Sequence, residues 1–209
     1  MIHIQQLTFQ YNTASAPIHF SDWQLPQGEQ ALILGASGSG KTTLLHLLGG
    51  LLNPQKGQLV VGDKDLSQLK GAQLDTYRGR NIGLVFQKPH LVNALTLEQN
   101  LLLAQYMAGL KQDKKKVEEV LSSLGLVPRK KALVHTLSLG EAQRAAIARA
   151  VLNKPKVILA DEPTSSLDDE NCGKVLHILQ QQAQAHQATL IIATHDKRVK
   201  DIIPTHYMM

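Results

Sequence analysis

Apolar and polar positions along the chain fall into two rhythms that take turns. Residues 2–9 (Ile2-His3-Ile4-Gln5-Gln6-Leu7-Thr8-Phe9) predict a strand. Residues 18–25 predict another, closed by the turn signal Leu25-Pro26-Gln27-Gly28. Ala31-Leu32-Ile33-Leu34 is a short, wholly apolar run, the mark of a strand covered on both faces. It leads into a glycine-rich loop, Gly35 to Gly40, and then into a predicted helix from Lys41 to about Gly49, whose leucines face inward. Gly57 to Gly62 and Ile82 to Phe86 predict further strands. From about 88 to 153 the rhythm is helical throughout. Leu97–Met107 is one predicted helix, and Asp113–Leu124 is a second, with Val117, Val120, Leu121 and Leu124 at three- and four-residue spacing. Glu141–Leu152, rich in alanine and arginine, is the third. The apolar strand then returns as Val157-Ile158-Leu159-Ala160, followed by a predicted helix over 169–186 and a last core strand, Leu190–Ala193.

Strand alternating with helix in the outer parts implies an α/β fold with a mostly parallel sheet. We expect one domain over 1–209, made of a core (1–87 and 154–209) and an inserted helical subdomain (88–153). The composition fits this: 43% hydrophobic and 19% charged residues over 209 positions is ordinary for a globular domain. No apolar run approaches the roughly 18–20 residues that span a bilayer. The N-terminus lacks the basic start and long apolar stretch of a secretory signal, and the single cysteine, Cys172, cannot form an internal disulfide. These features predict a cytoplasmic protein. The net charge of +5 gathers at Lys111–Lys116 and Arg129-Lys130-Lys131. No aromatic residues interleave with either cluster, so we read both as solvated helix faces and expect no nucleic-acid partner.

Two elements carry chemistry. Gly35-Ala36-Ser37-Gly38-Ser39-Gly40-Lys41-Thr42 fits the phosphate-loop pattern G-x-x-x-x-G-K-[ST] in its required setting, with an apolar strand before it and a helix after it. The glycines let backbone N–H groups turn toward phosphate oxygens, and the helix adds its positive end. Lys41 is expected on the β- and γ-phosphates, Thr42 on Mg²⁺ and Thr43 on the α-phosphate. The second element is Val157–Glu162, where an apolar strand delivers Asp161 beside that loop to hold Mg²⁺. Glu162, one position on, suits a general base for the attacking water.

In order along the chain, these motifs resemble those of the ATP-binding subunits of ABC transporters. Gln87, after the strand at 82–86, is similar to the family's Q-loop residue. Leu137-Ser138-Leu139-Gly140-Glu141-Ala142-Gln143-Arg144 is similar to the signature motif, Ser165-Ser166-Leu167-Asp168 to the D-loop, and Thr194-His195-Asp196 to the switch histidine. Tyr11 fits the aromatic that stacks on adenine, with Phe9 as a nearby competitor. The resemblance implies a P-loop NTPase (RecA-like) core, an N-terminal antiparallel β subdomain and an inserted α-helical subdomain. It also implies ATP and Mg²⁺ as ligands, and Glu162, His195 and Gln87 as the catalytic set. It places Ser138, Gly140 and Glu141 on the γ-phosphate held by a second copy and Asp168 against that copy's phosphate loop, so the unit is a homodimer or pseudo-homodimer. Plainer readings coexist. Ser138-x-x-Glu141 is also a helix capping box, Asp168 also an N-cap, and a histidine at a strand end is often a surface residue. One departure stands out: Leu139 occupies a position where the family usually has glycine.

Phe86–Leu101 and Ala160–Thr164 are similar to the subgroup of macrolide-exporter and lipoprotein-release ATPases. That implies a polytopic transmembrane partner, with this chain peripheral on the cytoplasmic face of the membrane through it, driving export, lipoprotein release or mechanotransmission. A solute importer is the alternative. A soluble, non-transport ABC protein is the third reading, and it would carry two cassettes or a long coiled-coil insertion. The C-terminus, soon after His206-Tyr207-Met208-Met209, predicts no appended regulatory domain.

Overall fold

The structure, a computed structural model, describes residues 1–165, 167–200 and 202–209. Its elements are β1 (Ile2–Phe9), β2 (Ile18–His19), β3 (Trp23–Leu25), β4 (Gln30–Leu34), α1 (Lys41–Leu48), β5 (Lys56–Val61), β6 (Lys64–Asp65), α2 (Ala72–Asn81), β7 (Ile82–Val85), α3 (Leu97–Met107), α4 (Lys114–Ser123), α5 (Leu139–Val151), β8 (Val157–Asp161), α6 (Asp169–Ala185), β9 (Thr189–Ala193), α7 (Lys197–Lys200) and β10 (His206–Met208).

A parallel sheet runs in the order β10-β4-β9-β8-β7. Its strands show why the core reads as unbroken apolar runs. In β4, Ala31 and Ile33 join the leucines of α1 on one face, while Leu32 and Leu34 join α3, α5 and α6 on the other. The same alternation holds in β8 (Val157 and Leu159 against Ile158 and Ala160) and in β9 (Ile191 and Ala193 against Leu190 and Ile192). With successive side chains pointing to opposite faces, a two-sided core needs an apolar residue at every position.

The second sheet is antiparallel, ordered β2-β1-β5-β6 with β3 also on β1, and it closes over the α1 face. The strand predicted over 18–25 is broken into β2 and β3. The register is continuous across the break, with Thr8 opposite His19 and Ile4 opposite Trp23. The ladder fails between them because Gln6 has φ +49° and its N–H is taken by the Asp22 carboxylate at 2.7 Å. The Asp22 bond replaces a ladder bond, and the chain bends there.

The helices between β7 and β8 follow the predicted order. α5 begins two residues before Glu141, at Leu139, because the Ser138 hydroxyl caps it. α2 and β10 were not anticipated. Only Leu74 of α2 is buried, so it shows little apolar period. β10 has three residues, and Tyr207 is its buried one.

Candidate functional site

The strand order brings the chemistry together. β4, β9, β8 and β7 are consecutive neighbours and parallel, so the loops after their carboxyl ends share one edge. Those loops carry Gly35–Gly40, Thr194-His195, Glu162 and Gln87. Such an edge is where open α/β sheets hold their ligands. A cleft of 520 Å³ lies there, lined by Tyr11, Ile18, Gly35 to Gly38, Gly40 to Thr43, Gln87, Glu162 and His195. Ile18, on the interrupted strand, belongs to no motif and carried no signal in the sequence.

The glycines of the loop have distinct reasons. Gly40, at the start of α1, has φ +101°, which a side chain would strain. A Cβ on Gly35 would fall 2.5 Å from the Ser39 hydroxyl and 2.9 Å from Met209 Cβ. α1 has no side-chain cap. Among the described residues, the N–H groups of Lys41, Thr42 and Thr43 have no acceptor within the chain. By contrast, α3, α4, α5 and α6 are capped by Thr96, Asp113, Ser138 and Asp168. The Lys41 ammonium is buried beside these open donors, donating to the carbonyls of Gly35 and Ala36 at 2.9 Å each. The Ser39 hydroxyl is buried without a partner. Open N–H groups, a buried ammonium and an orphaned hydroxyl in one loop fit a polyphosphate.

Thr42 Oγ donates to Asp161 Oδ1 at 3.3 Å. Burial pushes the Asp161 carboxyl above its ordinary range, opposed by that hydrogen bond and by the nearby His46. A buried carboxylate penalised in this way, set against a hydroxyl, is a hard-oxygen pair that suits Mg²⁺.

Glu162 follows with φ +46°, and its backbone N–H donates to Ala193 O at 2.8 Å. This turn parts the two adjacent carboxylates: Asp161 stays with the phosphate loop and Glu162 swings toward β9. One Glu162 oxygen accepts from Thr194 Oγ at 3.0 Å, and the other lies 2.6 Å from His195 Nδ1. The Glu162 side chain is 14% exposed and that of His195 is 71% exposed. Gln87 Nε2 donates to Ser165 Oγ at 3.0 Å. Tyr11 stacks edge-on against Phe9 and shares a 2.8 Å hydrogen bond with Thr43, and the residue is 59% exposed at the mouth.

The other predicted residues lie outside the cleft lining. Ser138 and Glu141 form a full capping box on α5: Glu141 Oε2 accepts the Ser138 N–H at 2.8 Å, and Ser138 Oγ accepts the Glu141 N–H at 3.3 Å. Arg129 pairs with Glu141 at 2.8 Å, holding its pKa down at about 2. Gly140 is the second residue of this helix, and Leu139 beside it is 56% exposed. Asp168 caps α6 by accepting the Asn171 N–H at 2.9 Å. Of the predicted D-loop, Ser166 lies outside the described residues. The capping readings of Ser138 and Asp168 are therefore both present in the fold.

The sequence reading missed Thr194, buried and bonded to the Glu162 carboxylate, and the ion pair between Asp196 and Arg198. Threonine before the motif histidine was visible, but its direction depended on the Glu162 turn.

Residues 18–165 match a family model described as ABC transporter. The lipoprotein-releasing system ATP-binding protein LolD of Idiomarina loihiensis is 40% identical over 182 residues, covering 86% of this chain and 80% of LolD. HrtA of Staphylococcus aureus, an ATP-binding protein named for hemin import, is 42% identical over 180 residues, covering 85% of this chain and 81% of HrtA. A dimeric structure of the bacterial ABC transporter cassette MJ0796 superposes with a TM-score of 0.87 at 29% identity, over 100% of this chain and 94% of that one. A dimer of the same cassette in a post-hydrolysis state, bound to ADP and Pi, superposes at 0.85 with 30% identity, over 95% and 90%.

Proposed function

The chain belongs to the ABC transporter family as an ATP-binding subunit that hydrolyses ATP, and on that premise we propose how its residues divide the work. The observation that carries the proposal is a separation. Tyr11, Lys41, Glu162, His195 and Gln87 converge on one cleft, whereas Ser138 and Gly140 sit outside it at the N-terminus of α5. A cleft that holds nucleotide but lacks its cover is completed by another copy. We assign the cover in trans: Ser138, Gly140 and Glu141 meet the γ-phosphate bound by the partner, and Asp168 meets the partner's phosphate loop.

Within the cleft, the adenine stacks on Tyr11. The α1 N-terminus and residues Gly35 to Gly40 hold the phosphates, with Thr43 on the α-phosphate. Lys41 leaves the Gly35 and Ala36 carbonyls for the β- and γ-oxygens. Thr42, Asp161 and Gln87 are the residues that would hold Mg²⁺, which when bound neutralises charge on the leaving phosphate oxygens. Glu162 takes the proton of the attacking water, and His195 steadies the γ-phosphate. Residues 88–153 form a lever arm on a core of 1–87 and 154–209. Closing the pair moves the arm, and hydrolysis reopens it.

The subunit works with a membrane partner. A polytopic permease is our reading, with two copies of this chain, or one copy and a relative, held against it on the cytoplasmic face of the membrane. No helix among the described residues is long and apolar enough to cross a membrane. Export, lipoprotein release or mechanotransmission is the reading we prefer, and LolD's name supports its lipoprotein-release form. HrtA's name supports the second reading, solute import.

The test is Glu162→Gln. We expect ATP binding to persist, hydrolysis to fall by roughly 100-fold or more, and an ATP-dependent dimer to appear on size exclusion. Hydrolysis at the parental rate would remove Glu162 as the base. Co-purification from detergent-solubilised membranes then separates the partner classes, since a permease accompanied by a solute-binding protein would favour import.

A further inference from the structure

Arg198, three positions beyond the motif histidine, makes more bonds than its place in a short surface helix requires. Its Nε lies 2.9 and 3.0 Å from the two Asp196 oxygens, and Nη2 lies 2.6 Å from Oδ2. Its backbone N–H also donates to Asp196 Oδ1 at 3.0 Å. Nη1 reaches the other way, to Asp169 Oδ1 at 2.5 Å and the Leu167 carbonyl at 3.4 Å. Asp196 in turn accepts from the buried Thr164 hydroxyl at 3.1 Å. Leu167 and Asp169 flank Asp168, and Asp196 adjoins His195. One guanidinium therefore ties the segment carrying the proposed trans contact to the loop carrying the proposed γ-phosphate contact.

We propose that Arg198 is a positioning residue for hydrolysis, coupling the placement of Asp168 to that of His195. The inference rests on the roles assigned above and deepens them: the state of the dimer interface is relayed to the histidine in the same chain. A plain reading is a surface ion pair, since Arg198 is 37% exposed and Asp169 is 92% exposed. Exposed pairs of that kind contribute little to stability. A planar fork that reaches two segments at once is a geometric device, and lysine cannot reproduce it. The Asp196 carboxyl is held down at about 2, mainly by the Arg198 hydrogen bond, so both partners are charged at neutral pH.

The experiment compares Arg198→Gln, Arg198→Lys and Asp169→Asn with the parent and with Glu162→Gln, by steady-state ATPase against ATP concentration, ATP-binding titration and thermal melting. Arg198→Gln should lower kcat by roughly 10-fold to 100-fold and reduce cooperativity in ATP, with KM and binding nearly unchanged. Arg198→Lys should not rescue it. Asp169→Asn removes only the outward arm at an exposed site, where folding is not at risk, and should reproduce most of the loss. Parental kcat and cooperativity in Arg198→Gln or Asp169→Asn, or full rescue by lysine, would overturn the inference alone, provided Glu162→Gln is inactive. An active Glu162→Gln would sink the underlying assignment and this inference with it.

Discussion

Gly140 offers the sharpest separation of fold from function. It lies in the first turn of α5 with ordinary right-handed helical backbone. A Cβ built there meets only the end of the Arg144 side chain, at 3.6 Å, an ordinary contact. The chain's own fold therefore gives no reason for glycine. It carries a cost instead, since glycine in a helix is less favourable than alanine by about 0.5–1 kcal/mol. Gly140→Ala should stabilise the isolated subunit by that amount, which for a chain of this size raises Tm by about 1–4 °C. Gly173 in α6 is a matched control: it too has helical backbone, and a Cβ there meets nothing within 4 Å. Gly173→Ala should show the same gain in Tm with parental ATPase. Gly140→Ala should diverge, because on the trans assignment proposed above its methyl would stand between the α5 N-terminus and a phosphate held by the second copy. We expect hydrolysis to fall by roughly 10-fold or more, and the ATP-dependent dimer to be lost in the Glu162→Gln background. Calorimetry, a coupled ATPase assay and size exclusion give the three readouts. If Gly140→Ala is stabilised like Gly173→Ala and also hydrolyses ATP at the parental rate, the close approach in trans is wrong.

Lys41→Ala removes the ammonium beside the open N–H groups of α1, and nucleotide binding measured by fluorescence titration should fall at least 100-fold; unchanged affinity would count against the phosphate seat. Asp161→Asn removes a carboxylate that burial penalises, so the nucleotide-free protein should be somewhat more stable than the parent, while the extra Tm given by Mg-ATP over ATP alone should vanish. A destabilised nucleotide-free variant would contradict the burial argument. The Asp196 carboxyl sits at about 2 in the folded chain against an ordinary 3.8. A lowered acid pKa stabilises the fold above the ordinary value, and that stability drains away as pH falls from about 4 toward 2. Asp196→Asn should therefore have a lower urea midpoint at neutral pH and a shallower decline across that window; an equally steep decline would mean the pair with Arg198 contributes nothing.

The parts of this molecule that were legible in its sequence share a property: each depends on a short stretch of chain. The apolar strands β4, β8 and β9 announce themselves because a sheet covered on both faces needs an apolar residue at every position. The Ser138–Glu141 capping box and the Gly35–Thr42 loop are local patterns whose geometry follows from their spacing. What escaped depends on two distant segments meeting. The break between β2 and β3 arises from Gln6 and Asp22 across a strand pair. Ile18 enters the cleft only because β1 carries it there. Thr194 acquires its partner only once Glu162 has turned toward β9, and Arg198 reaches Asp169 only once α6 has docked. α2 was lost for a different reason: one buried leucine in ten residues leaves no periodic trace.

The pairings within the cleft bear on where binding energy and control reside. Glu162 is satisfied by Thr194 and His195, Gln87 by Ser165, and Tyr11 by Thr43. Engaging a nucleotide through any of these side chains exchanges one hydrogen bond for another, and such exchanges yield little net free energy. The N–H groups of Lys41, Thr42 and Thr43 and the buried Ser39 hydroxyl have nothing to give up among the described residues. A phosphate that reaches them gains charge-assisted bonds without breaking others. Affinity should therefore concentrate in the phosphate loop and be present in a lone subunit. On the roles we propose, catalysis has a different requirement: Glu162 must release His195 before it can take a proton from water while His195 faces the γ-phosphate. Nothing in the loop drives that release. The groups linked to His195 from outside the cleft are Asp196, Arg198 and the residues beside Asp168, which is the side of the molecule we assign to the second copy. On this argument a single subunit binds ATP well and hydrolyses it poorly, and the division follows from which polar groups the fold has already paired.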